Sequence, residues 1–315
     1  MDIFWGNSVF EKLLEVDFEA HKAFVLRRFD SFCYLHSIRD FDKVENLIGL
    51  EEQVEILRAN TASFLSGKPA LNVLAWGARG CGKSSCVKQV LGEFLGIYDA
   101  TKKQHNKNNK TLESFYPKSL RVIELDSKDI LLLPLLFDAL RDKPYQFIIF
   151  CDDLSFRAEQ NEYKSIKSVL EGSLEARAQN ILLYATSNIR KLIQNAGADN
   201  TPEHSIVQEE LSLSDRFGLQ IGFYDFGTKQ YLKCVEIFLQ KEGITGLDLS
   251  NPQHLNDSDL SDNLSSNINE KNLNEVSKIA RQKALNFATK MGSRNARIAK
   301  DFALLVANGV ENLHK

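Results

Sequence analysis

The sequence predicts an α/β fold, in which a mostly parallel five-stranded sheet in a three-layer core precedes a small all-helical domain. Short apolar runs alternate with polar segments of helical character, which is the pattern of strands joined by crossover helices. A second observation is that the chain after residue 228 changes to helical periodicity, at 229–246 and 272–315. The five predicted strands are 71–76, 120–125, 147–151, 181–186 and 219–224.

The predicted domains follow from these patterns. Residues 1–45 mix aromatic and charged side chains at roughly helical spacing, so we expect a helical extension of two amphipathic helices. Residues 46–228 form the predicted α/β core, and 229–315 the helical domain, with a polar, mobile insertion at about 247–272. The basic, Asn-rich segment 101–110 is either a solvated loop or a nucleic-acid contact.

Composition and charge narrow the function classes. The 315 residues are 43% hydrophobic and 26% charged, with a net charge of -3, so no global basic field exists to hold a nucleic-acid backbone. Five cysteines without CxxC spacing predict reduced thiols in a cytoplasmic protein. We read no secretory leader in the acidic start and no apolar run of the roughly 18 residues that a membrane helix requires.

A phosphate-binding loop follows the first predicted strand directly. The stretch GARGCGKS, residues 77–84, fits the pattern G-x-x-x-x-G-K-[ST] and opens a helix. Its backbone N–H groups and the helix N-terminus suit phosphate oxygens, Lys83 would reach the outer phosphates, and Ser84 would bind Mg²⁺. The predicted nucleotide-binding residues here are Gly77, Ala78, Arg79, Gly80, Cys81, Gly82, Lys83, Ser84 and Ser85.

Two adjacent carboxylates end the third predicted strand, in FIIFCDDLSF at 147–156. Asp152 lies 69 residues after Lys83 and is predicted to bind Mg²⁺ together with Ser84. Asp153 is then placed to act as the base towards an attacking water. The alternative is that the two acids cap the helix after the strand.

Three further polar side chains complete the predicted site. Asn188 follows the fourth strand, 36 residues after Asp152, and could orient the water without competing for the metal. Arg216 precedes the last strand and could reach the γ-phosphate bound by a neighbouring subunit. Arg294 is predicted to begin a helix and to fold back onto the nucleotide, with Arg297 as the second candidate.

This order of motifs resembles that of the AAA+ superfamily of ATPases, and within it a bacterial family of P-loop ATP-binding proteins known as a domain of unknown function. The resemblance covers roughly residues 47–226. It implies an α/β core with a helical lid, ATP and Mg²⁺ as cofactors, and hydrolysis completed at the interface of a homo-oligomer that ATP forms or stabilises. It also implies that Leu47 and Ile48 contact adenine. AAA+ proteins usually carry Asp-Glu where this chain has Asp152 and Asp153, which bears on the rate of hydrolysis.

Three functions remain open at this stage. A slow, assembly-dependent Mg²⁺ ATPase is favoured by Asn188 and the two separate arginines. An ATP-gated binding module with negligible turnover is favoured by the short side chain of Asp153. A small-molecule phosphotransferase is disfavoured because no arginine cluster is present, and an unfoldase because 126–146 lacks an aromatic-hydrophobic-Gly pore loop. The sequence names no protein partner, and a nucleic-acid role is allowed but has no support in charge or motif.

Overall fold

In the computed structural model, the described residues are 16–29, 32–42, 44, 47–97, 119–154, 156–157, 170, 178–188, 193–194, 216–250 and 268–310. They divide into two compact units. The first contains the described residues up to 44 together with 52–77 and 83–222, and the second contains 47–51, 78–82 and 223–310. The predicted basic loop at 101–110 lies outside the described residues.

A seven-stranded sheet forms the centre of the first unit, in the order β2-β1-β4-β5-β7-β3-β9 among the described strands. The pairs β1–β4, β4–β5, β5–β7 and β3–β7 are parallel, and β1 pairs with β2 in the antiparallel direction. The α/β class with a mostly parallel sheet is confirmed, and all five predicted strands are present; a hairpin extends the sheet to seven. The strands are β1 Ala23–Phe29, β2 Phe32–Ser37, β3 Val73–Gly77, β4 Leu120–Asp126, β5 Gln146–Asp152, β6 Phe156–Arg157, β7 Ile181–Ser187, β8 Ile193–Gln194 and β9 Leu219–Phe223, of which β6 and β8 form a separate two-stranded pair.

The predicted N-terminal helices are wrong for the described part of residues 1–45, where the chain forms the β1–β2 hairpin. Phe24 and Leu26 alternate towards the core on β1, and Leu35 on β2 pairs with Leu26. This period of two is what a strand with one buried face requires, and it outweighs the approximate helical spacing of the charges. The segment before β1 is held by the buried Arg121 of β4, because the Arg121 guanidinium donates to the Phe18 carbonyl.

Helices cover the sheet and make up most of the second unit. The first unit contains α1 Glu51–Leu65, whose first residue is grouped with the second unit, α2 Lys83–Phe94, a 3₁₀ helix Ser127–Leu132 and α3 Leu133–Leu140. The second contains α4 Thr228–Lys241, α5 Ile268–Met291 and α6 Ala296–Ala307. Helix α5 therefore begins inside the segment predicted to be a mobile insertion. No helix among the described residues is both long and apolar enough to cross a membrane.

In the second unit, the buried carboxylate of Glu236 on α4 holds the chain at residues 249–250. This side chain accepts hydrogen bonds from the backbone N–H groups of Leu249 and Ser250, at 2.5 and 2.8 Å, and from Lys233 at 2.8 Å. A buried charge is tolerated only when it is paired in this way. The start of the predicted insertion, up to residue 250, is thus fixed to α4.

Central strands of the sheet are buried on both faces, and every residue of β7 is buried. This explains their unbroken apolar sequence, since alternation is lost when helices cover both faces. Polar side chains are consequently found where the strands end. Because β3, β5 and β7 are parallel neighbours, their carboxyl ends lie at one edge of the sheet.

Candidate functional site

Five of the predicted site residues, Lys83, Ser84, Asp152, Asp153 and Asn188, lie together at the carboxyl edge of the sheet in the first unit. Lys83 begins α2 after β3, Asp152 ends β5, and Asn188 follows β7. The register pairs Trp76 with Ser187 and Cys151 with Ala185, which brings the three strand ends level. Parallel pairing, rather than proximity in sequence, therefore assembles this site.

Ser84 and Asp152 form a pair of oxygen ligands. The Ser84 hydroxyl donates to the Asp152 carboxylate at 2.6 Å, and the Thr186 hydroxyl donates to the same carboxylate oxygen. Mg²⁺ prefers oxygen ligands and commonly takes only one or two from protein, with phosphate and water supplying the others. The pair fits such an ion, and the described residues contain no cluster of three or more His, Cys, Asp and Glu that would indicate a different metal site.

A continuous hydrogen-bonded chain connects Lys83 to Asp153. The buried Lys83 ammonium donates to the Gly77 carbonyl at 2.8 Å and to the Asn188 amide oxygen at 3.0 Å. The amide nitrogen of Asn188 donates in turn to the Asp153 carboxylate. Asn188 thus uses its acceptor towards the cation and its donor towards the anion, which fixes the orientation of the amide.

Asp153 has an uncommon backbone conformation. Its φ is 54°, and no other non-glycine residue in the described part of the chain has a positive φ. The conformation is held by β7, because the Asp153 N–H donates to the Thr186 hydroxyl at 2.9 Å and the Leu154 N–H to the Thr186 carbonyl at 2.7 Å. Strain of this kind, fixed by neighbours, is typical of functional positions.

Thr186 was not among the predicted site residues, although its hydroxyl contacts the Asp152 carboxylate and the backbone N–H of Asp153. The only signal in the sequence is a hydroxyl near the end of a buried strand, two residues before Asn188. Its role depends on the pairing of β7 with β5, which a single sequence does not specify.

Two cysteines next to the site are held as thiols. Burial raises the pKa of Cys86, in the first turn of α2, to about 12. Burial also raises the pKa of Cys151, which precedes the carboxylate pair on β5. Neither thiol is therefore a nucleophile near neutral pH, since the thiolate is the reactive form.

In the second unit, residues 78–82 of the phosphate loop lie against two other segments. A Cβ atom on Gly82 would come within 2.6 Å of the Leu50 side chain, and one on Gly80 would come within 2.7 Å of the Asn295 amide oxygen. The predicted adenine contacts, Leu47 and Ile48, are half-buried in the same unit, just before Leu50.

Each arginine has a definite place. Arg294 is exposed and lines a cavity of about 320 Å³ with Asp225 and Ser293. The prediction that Arg294 begins a helix is wrong by two residues, since Asn295 caps α6 through its side chain. Arg297 is exposed in the first turn of α6, and Arg216 is half-buried in a turn of the first unit before β9.

Comparison with known proteins gives a family and a fold. The sequence matches the family described as "Protein of unknown function (DUF815)" over residues 19–309. No curated protein matches the sequence. Among solved structures, Aeropyrum pernix Orc1, determined in complex with DNA, is similar with a TM-score of 0.51 and 14% identity. The match covers 87% of this chain and 63% of the Orc1 chain.

Two further structures are similar at lower scores. The RuvB Holliday junction branch migration motor of Thermotoga maritima has 11% identity and a TM-score of 0.39, over 84% of this chain and 70% of its own. PCH-2 of C. elegans has 14% identity and a TM-score of 0.41, over 86% and 73%. At these identities the similarity concerns fold alone, and the sheet order, the phosphate loop and the Orc1 match indicate that fold. The chain therefore belongs to the family described as "Protein of unknown function (DUF815)", and its fold is that of AAA+ ATPases.

Proposed function

We propose that the protein is an ATPase that uses Mg²⁺ and hydrolyses ATP slowly, in an assembly of several copies. The observation that carries this proposal is the contact of the phosphate-loop residues Lys83 and Ser84 with the polar side chains at the ends of β5 and β7. A phosphate loop that only bound an anion would not require a hydroxyl–carboxylate pair and a cation–amide–carboxylate chain beside it. ATP is the nucleotide that the fold favours.

Residues 77–85 would hold the phosphates, through backbone N–H groups, the N-terminus of α2 and the Lys83 ammonium. Ser84 and Asp152 would bind Mg²⁺, which neutralises the charge that develops on the phosphate oxygens. Lys83 now has carbonyl and amide partners, and a γ-phosphate would compete for it as a stronger, charged acceptor.

Release of Lys83 from Asn188 would free the amide oxygen beside Asp153. A water hydrogen-bonded to this amide could then give a proton to the Asp153 carboxylate while its oxygen attacks the γ-phosphorus and the bond from that phosphorus to the ADP oxygen breaks. Asp is about 1.5 Å shorter than the usual Glu. The left-handed backbone at Asp153 gives its carboxylate a different direction from that of an ordinary strand end, so this residue need not be compared with Glu on length alone.

The remaining predicted residues complete the proposal. Arg216 would stabilise the transition state in the site of a neighbouring copy, Arg294 or Arg297 would contact phosphate from the helical domain, and Leu47 and Ile48 would contact adenine. The partner implied is a second copy of this chain, and the location proposed is the cytoplasm. Orc1 was solved with DNA, but a net charge of -3 gives DNA binding no support here.

The second candidate is an ATP-gated binding module. The hydrogen bond between Asn188 and Asp153 favours it, because a carboxylate held by an amide is less available to a water. In this function ATP would stabilise an assembly, and turnover would be negligible.

The test compares ATP affinity with turnover in the same variants. Lys83→Ala should abolish ATP binding in calorimetry, whereas Lys88→Ala, which removes a lysine further along α2, should bind normally. Asp153→Asn should bind ATP with little loss while hydrolysis falls by on the order of 100-fold. Normal affinity in Lys83→Ala would refute the phosphate site, and zero turnover of the wild-type protein at every concentration would favour the binding module.

A concentration series tests the shared site. Hydrolysis per chain should rise with protein concentration, and Arg216→Ala should suppress it while leaving affinity nearly intact. Mixing Arg216→Ala with Asp153→Asn should restore part of the activity, since one interface would then combine an intact arginine with an intact Asp153. Absence of any restoration would indicate a site completed within one chain.

A further inference from the structure

Asn295 is a buried side chain with two separate tasks. Only 4% of the residue is exposed, and its amide oxygen accepts the Ile298 N–H at 3.0 Å, which caps the N-terminus of α6. Its amide nitrogen donates to the Arg79 carbonyl at 3.1 Å and to the Ser293 hydroxyl at 2.8 Å. The first task needs an acceptor alone, as Asp, Ser and Thr also provide. The second needs a donor that reaches the phosphate loop.

The phosphate loop approaches Asn295 as closely as its backbone allows. Gly80 has a φ of 84°, and a Cβ atom there would lie 2.7 Å from the Asn295 amide oxygen and 2.9 Å from the amide nitrogen. A glycine is thus required at this position for two reasons, conformation and space. The amide of Asn295 packs on the loop in addition to hydrogen-bonding its Arg79 carbonyl.

A second contact between the loop and this region involves Cys81, the residue after Gly80. The Asp225 carboxylate accepts from the Cys81 thiol at 3.4 Å and from the Ser293 hydroxyl at 2.8 Å. The chain next to it is also fixed, because the Phe226 N–H donates to the Arg294 carbonyl at 2.7 Å. Three consecutive loop residues, 79–81, therefore contact side chains that surround the start of α6.

We propose that Asn295 is a positioning residue for ATP binding, which holds the phosphate loop through Arg79 and Gly80 and links the conformation of this loop to helix α6. The inference rests on the proposed function and adds the residue through which the helical unit responds to the nucleotide. If ATP favours one conformation of residues 78–82, it also favours the position of α6 in which Asn295 can keep its hydrogen bonds to both Arg79 and Ile298. By thermodynamic linkage, fixing α6 must strengthen ATP binding by the same factor.

Two substitutions separate positioning from helix capping. Asn295→Ser is neutral and caps a helix as well as Asn does, but its short side chain does not reach the Arg79 carbonyl. Asn295→Asp keeps the shape and the cap and replaces the donor with a carboxylate oxygen. An effect shared by both variants is due to the lost donor, since Ser excludes added charge and Asp excludes lost volume. Asn286→Ser, on the exposed side of α5, is the matched control.

We expect each Asn295 variant to bind ATP about tenfold more weakly than the wild-type protein, the effect of one net hydrogen bond. Hydrogen exchange in the nucleotide-free protein should be severalfold faster in a peptide covering 78–86 and unchanged in a peptide covering 298–307, because the cap remains. The melting temperature should fall by a few degrees in both variants, because each loses one hydrogen bond, and further in Asn295→Asp, which places a carboxylate at a buried position. Asn286→Ser should match the wild-type protein in all three measurements.

The geometry at Gly80 gives a second arm. Gly80→Ala introduces the Cβ atom that meets Asn295, so its loss of ATP affinity should be smaller in the Asn295→Ser background, where that contact is relieved. Additive losses would overturn the direct contact as the cause. ATP affinity and loop exchange equal to those of the wild-type protein in both Asn295 variants would overturn this inference alone. A wild-type protein that binds no ATP would overturn the proposed function and this inference with it.

Discussion

Replacing Thr186 with Val tests whether the hydroxyl that joins the Asp152 carboxylate to the Asp153 N–H sets the geometry of the site. Valine has nearly the shape of threonine and suits a buried strand, so β7 should keep its packing. The change removes the hydroxyl that accepts from the Asp153 N–H at 2.9 Å and donates to Asp152. Thr186→Ser, which retains a hydroxyl, is the matched control.

The expected loss of stability follows from those two hydrogen bonds. A bond to a carboxylate is worth about 1.5–3 kcal/mol and a neutral one about 0.5–1.5 kcal/mol. Asp152 is only half-buried and still accepts from Ser84 at 2.6 Å, so water and Ser84 offset part of the loss. We therefore expect Thr186→Val to lower the free energy of unfolding by about 2 kcal/mol.

The expected loss of activity follows from the backbone of Asp153. A left-handed conformation costs a non-glycine residue roughly 1–2 kcal/mol, and Thr186 is what holds Asp153 at a φ of 54°. Without this hydroxyl, Asp153 loses one of the two hydrogen bonds that hold its backbone, since only the bond from the Leu154 N–H to the Thr186 carbonyl remains, so its proposed productive position should be less populated. The same 1–2 kcal/mol corresponds to a hydrolysis rate lower by about 5-fold to 30-fold.

Denaturant unfolding and single-turnover ATP hydrolysis, with affinity measured by calorimetry, are the assays. ATP affinity should stay within about threefold of the wild-type value, because the Thr186 hydroxyl bonds to the Asp152 carboxylate and the Asp153 N–H, and the substitution leaves the phosphate loop unchanged. Wild-type stability and turnover in Thr186→Val would refute the claim that this hydroxyl fixes the carboxylate pair. A similar loss in Thr186→Ser would show that packing, and not the hydroxyl, is responsible.

Three further predictions concern stability and thiol reactivity. Burial raises the pKa of Tyr184 to about 12, so the neutral side chain contributes its full stability below about pH 10 and loses it as the pH rises towards 12. In Tyr184→Phe, the free energy of unfolding should therefore fall less steeply between these pH values, by up to about 1.4 kcal/mol per pH unit, and equal slopes in the two proteins would contradict this. Arg58→Ala leaves the buried Glu93 carboxylate without its arginine partner and should lower the free energy of unfolding by about 2 kcal/mol in denaturant. Glu55→Ala removes the exposed partner of Arg58 and should lower it by less than about 0.5 kcal/mol, and equal losses would argue against burial as the cause. All five cysteines are buried, so a thiol reagent at pH 8 should modify fewer than about one cysteine per folded chain within minutes and all five in denaturant. Rapid modification of several cysteines in the folded protein would contradict this burial.

The sequence predicts those parts of the site that depend on local pattern. The phosphate loop is a continuous stretch, and Asp152 and Asn188 are marked by polar residues at the ends of strongly apolar runs. Once the strands are parallel, their carboxyl ends must meet, so the juxtaposition of these residues with Lys83 follows from topology. The five core strands are predicted for the same reason, since strands buried on both faces are apolar throughout.

Other parts depend on partners that are distant in the chain. The β1–β2 segment has charges at helical spacing and apolar residues at a period of two, so its sequence fits a helix and a strand. The strand forms because β1 pairs with the edge of β4, a distant partner in the chain. Asn295 contacts Arg79, which lies 216 positions earlier in the chain. The sequence alone predicts a role for the charged neighbour Arg294 and gives no such signal for Asn295. The short side chain of Asn was informative only when its neighbours were known.

Asp152 and Asp153 are adjacent, yet their surroundings differ, and we propose different roles for them on that ground. Asp152 ends its strand with ordinary backbone geometry and receives two hydroxyl donors, as a metal ligand does. Asp153 turns away from the strand through a left-handed backbone and faces the Asn188 amide, the group that also holds Lys83. A γ-phosphate that draws Lys83 away would therefore alter the partner of Asp153 through a single amide. In the proposed ATPase, Asp152 would therefore bind Mg²⁺, and Asp153 would be the carboxylate whose surroundings change when the nucleotide binds.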